Sequence, residues 1–400
     1  MNKSNVLYID LALENTVGHG LQYLTEFVSA LETEMEVEVF CNRTASPDLA
    51  ERFTANAILS AHPTRELSNN FVLNLIRRVL LEVTKSFFEL RKISSASDSK
   101  KILFFQHIEY FNLLGILGCK RASNALIIVL RSDPLFGGKL ASIVRVVFYS
   151  VLITLIRLKF RQNVTFVSDS PELSKVYEFF SPHLEVLTAL PPAIELQKAQ
   201  PEARSFDNDV NRAIKIAYLG RAVQEKGFNT LPSLVPMKSG ARSKLTNQRK
   251  LHFIFDIFGS DDSTLASVQK LKEMTCEPNQ LDSHITITLN DTPITSSDYN
   301  QKLREIDIAL LLYDPGRYKR QTSGVLFDCI LNGVLPIAYA NTWLSGQIDT
   351  LGAGRIYEKI RENNELFDIT ELEVAQLKKA RQILLSQPTI IDVIRAVTND

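Results

Sequence analysis

The sequence predicts an α/β protein made of two domains, each built on a parallel β-sheet. Short apolar runs rich in β-branched residues alternate with helical patterns along the chain, which is typical of parallel sheets covered by helices. The 400 residues exceed what one compact core usually holds, and 45% of them are hydrophobic, enough for two cores. A polar stretch at 197–212 divides the alternating pattern in two.

The first half of the chain contains five strand-like runs and three clear helical patterns. The predicted strands are 6–10, 36–41, 102–105, 125–130 and 164–168. The predicted helices are 21–31, 71–92 and 143–160. Residues 1–196 are therefore assigned to an N-terminal Rossmann-like domain.

The pattern restarts after the predicted linker 197–212, which is rich in Gln, Asp, Asn and Arg. The predicted strands are 214–219, 251–258, 285–289, 306–313 and 334–339, and the helices are 262–274 and 324–331. Residues 213–375 are assigned to a second Rossmann-like domain. Residues 376–400 are assigned to a helical segment that packs back on the first domain. Two such domains are expected to face a central cleft, where ligands bind beyond the carboxyl ends of the strands.

Charge and cysteine usage exclude several classes of protein. The 45 Lys and Arg residues balance 45 Asp and Glu, so no global basic field attracts nucleic acid. The four cysteines stand singly, without the spacing of a zinc site or a disulfide framework, which favours no metal and a cytoplasmic location. The longest apolar stretch, 146–156, has 11 residues between two arginines, short of the roughly 18–20 that span a membrane.

Glycines follow the first predicted strand, in the segment Gly18-His19-Gly20. Glycine lets a backbone approach a ligand closely, and the start of the following helix favours an anion. The spacing is not the GxGxxG of a dinucleotide-binding fold, and no acidic residue ends the second strand at the position that would hold a ribose. The segment is either a phosphate-binding loop or an ordinary turn between strand and helix.

Two cations follow the first strand of the second domain. Arg221 comes directly after Gly220, and Lys226 precedes Gly227. Arginine binds a diphosphate as a fork and lysine binds it as a point charge, so both together beside two glycines favour a diphosphate site over a solvated surface.

A basic, aromatic loop, Arg317-Tyr318-Lys319-Arg320, precedes the helix predicted at 324–331. Thr322 or Ser323 is expected to cap that helix, and its free N–H groups together with the preceding cations favour an anion site. Asp328 lies inside the same helix within an apolar stretch, where an unpartnered carboxylate is costly. We therefore expect Asp328 to accept hydrogen bonds from sugar hydroxyls.

Four segments together resemble the B-type-fold glycosyltransferases, closest to family 4 (group 1). In chain order they are Gly18-His19-Gly20, residues 164–170, Tyr218-Leu-Gly220-Arg221…Lys226-Gly227-Phe228, and Ser323-Gly324-Val325-Leu326-Phe327-Asp328…Gly333…Pro336. The resemblance implies that the first domain lies on the acceptor side and that the second binds a nucleoside-diphosphate sugar as co-substrate, with no other cofactor.

The resemblance also implies roles for individual residues. The donor and its phosphates would be bound by Gly18, Gly20, Arg221, Lys226, Arg320, Ser323, Gly324 and Val325. Asp328 would hold the ribose. His107, which follows a predicted strand, resembles the family's histidine near the donor sugar, with a structural histidine as the alternative.

One position departs from the family's usual pattern of two glutamates eight residues apart. The second corresponds to Asp328 and the first to Arg320, although Tyr318, Arg320 and Ser323-Gly324-Val325 resemble a Tyr…Arg…Ser-Gly-Val version of the segment. A retaining, metal-independent transfer of a sugar to a hydroxyl acceptor is the main hypothesis. The alternatives are a non-catalytic sugar-nucleotide-binding scaffold and a sugar-nucleotide epimerase.

Charge is unevenly distributed along the first domain. Residues 65–161 contain 16 Lys and Arg against 6 Asp and Glu, whereas residues 1–60 contain 3 against 9. The helical patterns 71–92 and 143–161 combine basic and apolar residues, as helices do that lie on an anionic membrane. They either do so here, at the inner face of the membrane, or pack on the sheet and expose a solvated basic face.

Overall fold

The computed structural model describes residues 4–13, 19–59, 83–95, 101–107, 110–120, 124–136, 138–198, 212–236, 250–277, 281, 283–292, 296–359 and 367–399. The chain forms two compact units. One comprises Met1–Leu196 together with Gln387–Asp400, and the other comprises Gln197–Ser386. Each unit is described by itself below.

The first unit contains a seven-stranded parallel sheet in the order β3-β2-β1-β4-β5-β6-β7. Its strands are β1 Ser4–Asp10, β2 Met35–Asn42, β3 Asn56–Leu59, β4 Lys101–His107, β5 Asn124–Val129, β6 Val164–Ser168 and β7 Val186–Thr188. Its helices up to the unit boundary are α1 His19–Leu31, α2 Pro47–Arg52, α3 Val83–Ser95, α4 Tyr110–Ile116, α5 Lys139–Phe160, α6 Pro171–Phe180 and α7 Pro192–Lys198.

Helices cover both faces of this sheet, because side chains along each strand alternate between the two faces. In β1, Leu7 and Ile9 join the core beneath α3, α4, α5 and α6. Val6 and Tyr8 join the opposite core, beneath α1. Strands buried on both faces explain why the sequence shows continuous apolar runs.

The second unit contains a six-stranded parallel sheet in the order β10-β9-β8-β11-β12-β13. Its strands are β8 Ile214–Ala222, β9 Leu251–Ser260, β10 Ile285–Asn290, β11 Ile308–Leu311, β12 Leu335–Ala338 and β13 Arg355–Ile356. Its helices are α8 Leu231–Leu234, α9 Leu265–Cys276, α10 Ser296–Glu305, α11 Gly324–Leu331, α12 Trp343–Leu351 and α13 Glu371–Ser386. The first six strands of the first unit follow the same Rossmann-like order, so both units share one topology.

The chain returns to the first unit through its last helix, α14 Ile390–Asn399. Ile391 and Ile394 of this helix are fully buried in the same core as α1. The Arg395 guanidinium donates to the carboxylates of Glu34 and Glu195, at 2.7 Å and 2.6 Å, and these hydrogen bonds raise its pKa. The predicted segment boundary at residue 376 falls within α13, which belongs to the second unit.

The predicted α/β class and the two Rossmann-like sheets are confirmed. All ten predicted strands are present within a few residues, and α11 begins and ends where the sequence predicts. The structure adds β3, β7 and β13, which have four, three and two residues and are too short for a periodicity signal. Of the predicted helix 71–92, residues 71–82 lie outside the described residues, and the described part is α3.

The predicted helix 262–274 is corrected at its start. Asp262–Thr264 is a 3₁₀ turn, and the α-helix begins at Leu265. The Thr264 hydroxyl donates to the backbone oxygen of Ala222, at 2.6 Å, which holds this turn at the end of β8.

Candidate functional site

The sheet of the second unit has one topological switch point, between β8 and β11. From β8 the chain proceeds outward to β9 and β10, and from β11 it proceeds outward in the other direction to β12 and β13. Loops that leave two such strands in opposite directions open a crevice at the carboxyl edge of the sheet, where ligands of open α/β folds bind. The predicted diphosphate loop follows β8, and the predicted basic loop follows β11.

The loop after β8 is fixed against the end of β11 by Gly227. This residue has a φ of 73°, and a Cβ atom added to it would lie 1.7 Å from the backbone oxygen of Leu312. The backbone N–H of Asp314 donates to the oxygen of Glu225, at 2.9 Å, which joins the two loops a second time. Glycine is therefore required here by both conformation and space.

The ammonium group of Lys226 lies beside Gly220. Its Nζ lies 5.8 Å from the centre of the Tyr313 ring and 3.8 Å from the position that a Cβ atom on Gly220 would occupy. Gly220 has a φ of 149°, a conformation that favours glycine. The absence of a side chain at 220 leaves open space beside the ammonium group.

Arg221 and Lys226 have no carboxylate partner within the described part of the chain. The Arg221 side chain is exposed and that of Lys226 is half-buried. Arg317, by contrast, lies 4.0 Å from Glu225, and Arg320 also has an interaction partner. The two cations that the sequence places after β8 are therefore available to an anion.

Buried aromatic side chains pack against the loops that follow β8 and β11. The Tyr218 ring packs edge-on against Phe228, with centroids 5.3 Å apart, and its hydroxyl donates to the backbone oxygen of Arg221 at 2.5 Å. The rings of Tyr313 and Tyr318 lie 4.5 Å apart. Burial raises the pKa of Tyr218 and of Tyr318, so both hydroxyls stay neutral.

The first turn of α11 begins at Gly324, and Ser323 occupies its N-cap position. The expected side-chain cap is wrong for Ser323, whose hydroxyl makes no capping hydrogen bond. No atom lies within 4 Å of the position of a Cβ atom on Gly324, which is exposed, whereas Val325 is buried. The Ser323 side chain therefore satisfies none of the first backbone N–H groups of the helix, although its backbone oxygen accepts from the N–H of Leu326 at 3.2 Å.

Asp328 is bound by a tyrosine that sequence reasoning missed. Asp328 as a whole is 9% exposed, and its carboxylate accepts a hydrogen bond from the Tyr299 hydroxyl of α10, at 3.1 Å. Burial raises the pKa of Asp328 to about 7, and the hydrogen bond from Tyr299 opposes that rise. Tyr299 is the only aromatic residue of a polar helix, a signal that could have drawn attention to it.

Of the predicted residues of the first unit, His107 lies at the switch point of its own sheet, between β1 and β4. His107 is the last residue of β4 and is in register with Asp10, the last residue of β1. Gly18 lies outside the described residues. Gly20 belongs to the first turn of α1, and its nearest potential Cβ contact, the side chain of Leu13, is at an ordinary 3.5 Å.

A second polar cluster that the sequence did not reveal lies at the carboxyl ends of β4, β5 and β6. The Nε atom of Arg131 lies 3.2 Å from a carboxylate oxygen of Asp169, and the guanidinium stacks 4.8 Å from the centre of the Tyr23 ring. The amide oxygen of Gln106 accepts from Arg131 at 2.7 Å. Arg131 and Asp169 come directly after predicted strands, so comparing the residues that follow each strand would have found the pair.

Groups of three or more His, Cys, Asp or Glu side chains at metal-binding distance do not occur among the described residues.

Comparison with known proteins identifies the fold. No protein-family model matches the sequence, and no curated protein matches it. The structure is similar to HepE from Anabaena in complex with UDP, with 12% identity, a TM-score of 0.58 and coverage of 99% of this chain and 98% of that chain. It is also similar to a glycosyltransferase from Rickettsia africae, with 11% identity, a TM-score of 0.59 and coverage of 100% and 98%.

The N-terminal domain of trehalose-6-phosphate phosphatase from Candida albicans is a further similar structure, with 12% identity, a TM-score of 0.59 and coverage of 99% and 97%. These likenesses extend over whole chains and establish the B-type fold of glycosyltransferases. At such low identity they show the fold alone.

Proposed function

We propose that this chain, which has the B-type fold, transfers a sugar from a nucleoside-diphosphate sugar to a hydroxyl acceptor. The observation that carries the proposal is a pair of cations, Arg221 and Lys226, on a glycine-fixed loop at the switch point of the second unit, where no carboxylate of the described ranges pairs with them. A diphosphate is the anion that such a fork and point charge fit best. HepE, a protein of the same fold, was crystallised with UDP and with UDP-glucose, which makes UDP the first nucleotide to test.

The other predicted site residues would bind the remaining parts of the donor. The backbone at Gly324 and Val325, with Ser323 and Arg320 beside it, would bind the phosphates at the start of α11. Asp328 would accept hydrogen bonds from the ribose hydroxyls. His107 and the segment of Gly18 and Gly20 belong to the first unit, and they would contact the donor sugar.

In the proposed reaction, the bond between the anomeric carbon and the diphosphate oxygen breaks, and a bond forms from that carbon to the acceptor oxygen. The electron pair of the broken bond leaves with the nucleoside diphosphate, and the proton of the acceptor hydroxyl passes to the departing diphosphate oxygen. Arg221 and Lys226 stabilise the negative charge that grows on this leaving group, which is the role of preorganised cations in transition states. This chemistry requires no metal ion, and retention of configuration is the expected outcome.

Thermal-shift measurements with UDP, GDP and ADP test donor binding, since a ligand that binds only the folded state raises its melting temperature. Arg221→Ala and Lys226→Ala each remove a charge-assisted contact, so we expect affinity to fall about tenfold to a hundredfold. Lys270→Ala is the matched control, because Lys270 is also exposed and lies on α9 of the same unit. Failure of every nucleoside diphosphate to stabilise the protein would overturn the proposal.

A non-catalytic nucleotide-sugar-binding scaffold is the second candidate, and Arg320 favours it. This residue stands where the family usually has the first of its two glutamates, and an arginine cannot accept hydrogen bonds from the donor sugar. The two candidates differ in donor turnover. Release of UDP from UDP-sugars, with and without acceptor extracts, supports a transferase, whereas UDP binding without any turnover supports the scaffold.

A further inference from the structure

Helix α5 is apolar on two faces, and only one of them is buried. Tyr149, Leu152, Ile153, Ile156 and Phe160 pack into the core of the first unit. A second row of side chains is exposed to solvent, at spacings of three and four residues. This exposed stripe consists of Leu140, Ile143, Val144, Val147, Phe148, Val151, Leu155 and Leu158.

The exposed stripe is continuous along the helix. Leu140 is 77% exposed, Val151 in the middle is 51% exposed and Leu158 is 67% exposed, so both ends and the region between them face water. At 1.5 Å per residue, the stripe is about 27 Å long. Single exposed apolar residues are ordinary on protein surfaces, but a contiguous apolar patch indicates a binding surface.

A neighbouring helix adds a further apolar side chain to this side of the unit. The Ser150 hydroxyl of α5 donates to the backbone oxygen of Phe180, at 3.1 Å, which holds the end of α6 against the middle of α5. Phe179, the residue before this contact, is largely exposed. The apolar surface therefore extends from α5 toward the end of α6.

Basic residues lie at both ends of the stripe. Residues 138–161 contain five Lys and Arg and no Asp or Glu. Arg145 near the beginning of α5 donates to the backbone oxygen of Phe136, while Arg157 and Lys159 near its end donate to the oxygens of His183 and Leu117. These hydrogen bonds to neutral carbonyl groups hold three cations in place, and none of the three forms an ion pair with a carboxylate of the described residues.

An apolar stripe between basic ends fits the surface of an anionic bilayer. The apolar side chains would enter the boundary between headgroups and acyl chains, and the cations would meet the lipid phosphates. A second copy of this chain fits less well, because pairing two such helices in either direction brings basic ends together with no carboxylate on either helix. Among the described residues, no helix has both the length and the apolar character needed to cross a bilayer.

We propose that α5 is an interfacial helix that lies in the plane of an anionic membrane and binds it through the exposed stripe. This proposal is independent of the nucleotide site, since it rests on a helix of the first unit alone. Binding requires both the apolar stripe and the basic ends.

Co-sedimentation with lipid vesicles tests the proposal on the full chain. We expect binding to vesicles of phosphatidylcholine and phosphatidylglycerol, weaker binding to phosphatidylcholine alone, and loss of binding as salt rises. The triple variant Ile143→Ser, Val147→Ser, Val151→Ser removes apolar area from exposed positions, and we expect binding to fall roughly tenfold or more. Leu372→Ser, at an exposed position of α13 in the second unit, is the matched control and should bind as the parent does.

A variant that removes charge separates the electrostatic contribution to membrane binding from the apolar contribution. Lys139→Ala with Arg161→Ala removes one exposed cation from each end of α5, so binding to anionic vesicles should fall while the salt dependence becomes shallower. An unchanged melting temperature shows that each variant is folded.

Two results would overturn the proposal. In the first, the parent protein does not bind anionic vesicles at low salt and is dimeric by light scattering, whereas the triple variant is monomeric. The stripe would then join two copies of the chain. Alternatively, the parent neither binds vesicles nor self-associates, which would show that the stripe is not a membrane-binding surface.

Discussion

Asp328 is the residue whose ionisation links the site to pH. Its carboxylate is buried in α11 and accepts a hydrogen bond from Tyr299. Burial raises its pKa to about 7, compared with about 3.9 for an unperturbed aspartate. Between about pH 4 and about pH 7, the carboxyl group is therefore protonated in the folded protein and ionised in the unfolded chain. The stability associated with this proton is fully present below about pH 4 and is lost as the pH rises to about 7.

Asp328→Asn should remove this pH dependence, because the amide cannot ionise. From about pH 4 to about pH 7, we expect the free energy of unfolding of the parent to fall relative to that of the variant, by on the order of a few kcal/mol. Urea unfolding at several pH values in this interval measures the difference.

Tyr299→Phe is the control for the Asp328 prediction. It removes the donor but keeps the titrating carboxyl group, so its stability should remain dependent on pH. The same pH dependence in the parent and in Asp328→Asn would show that the proton is held elsewhere. Nucleotide affinity in Asp328→Asn, measured beside Tyr299→Phe, further tests the proposed contact with ribose.

The conformation of the loop between β8 and α8 depends on the close packing of Gly227 against the backbone of Leu312. Gly227 lies against the oxygen of Leu312, where a side chain has no space, and its φ is positive. Lys226 precedes it directly, so the position of that ammonium group depends on the same contact.

Gly227→Ala should destabilise the second unit by about 3 kcal/mol, since it adds both backbone strain and a collision with Leu312. Gly352→Ala is the matched control. Gly352 also has a positive φ, of 64°, but no atom lies within 4 Å of its potential Cβ, so we expect the strain alone, about 1 kcal/mol. Urea unfolding measures both. Equal losses would mean that the loop moves away from β11 without cost.

The elements that could be predicted from the sequence are those marked by a pattern of neighbouring residues. Apolar runs located ten strands, and Ser323-Gly324 with the following apolar residues located α11 at its observed limits. The sequence could not show that Tyr299 binds Asp328 or that Arg131 pairs with Asp169, because folding brings these residues together from 29 and 38 positions apart in the chain. Nor could it show which face of α5 is buried, since a helix that is apolar all round has no periodicity to distinguish them.

On the scale of the whole molecule, the second unit is inserted into the first. The first unit consists of two separate stretches of chain, and α14 closes part of its core with Ile391 and Ile394. The sheet of the second unit comes from one continuous stretch.

Ile394→Ala should therefore weaken the first unit by about 3 kcal/mol, the usual cost of a cavity at a fully buried isoleucine. UDP affinity should be unchanged, because the proposed donor loop lies in the second unit. Ile143→Ala, at an exposed position, is the matched control and should change stability by less than about 0.5 kcal/mol. Hydrogen exchange of first-unit amides measures the loss. An equal effect of both substitutions would show that α14 contributes little to this core.

The return of the chain through α14 also has a consequence for synthesis on the ribosome. Residues 4–196 emerge first, but the core beneath α1 lacks Ile391 and Ile394 until nearly two hundred further residues have been translated. The inserted unit can meanwhile fold from its own continuous stretch. The domain that is made first is thus the one that is finished last, and a nascent chain that stalls before Ile390 would expose the unfilled side of its core to chaperones and proteases.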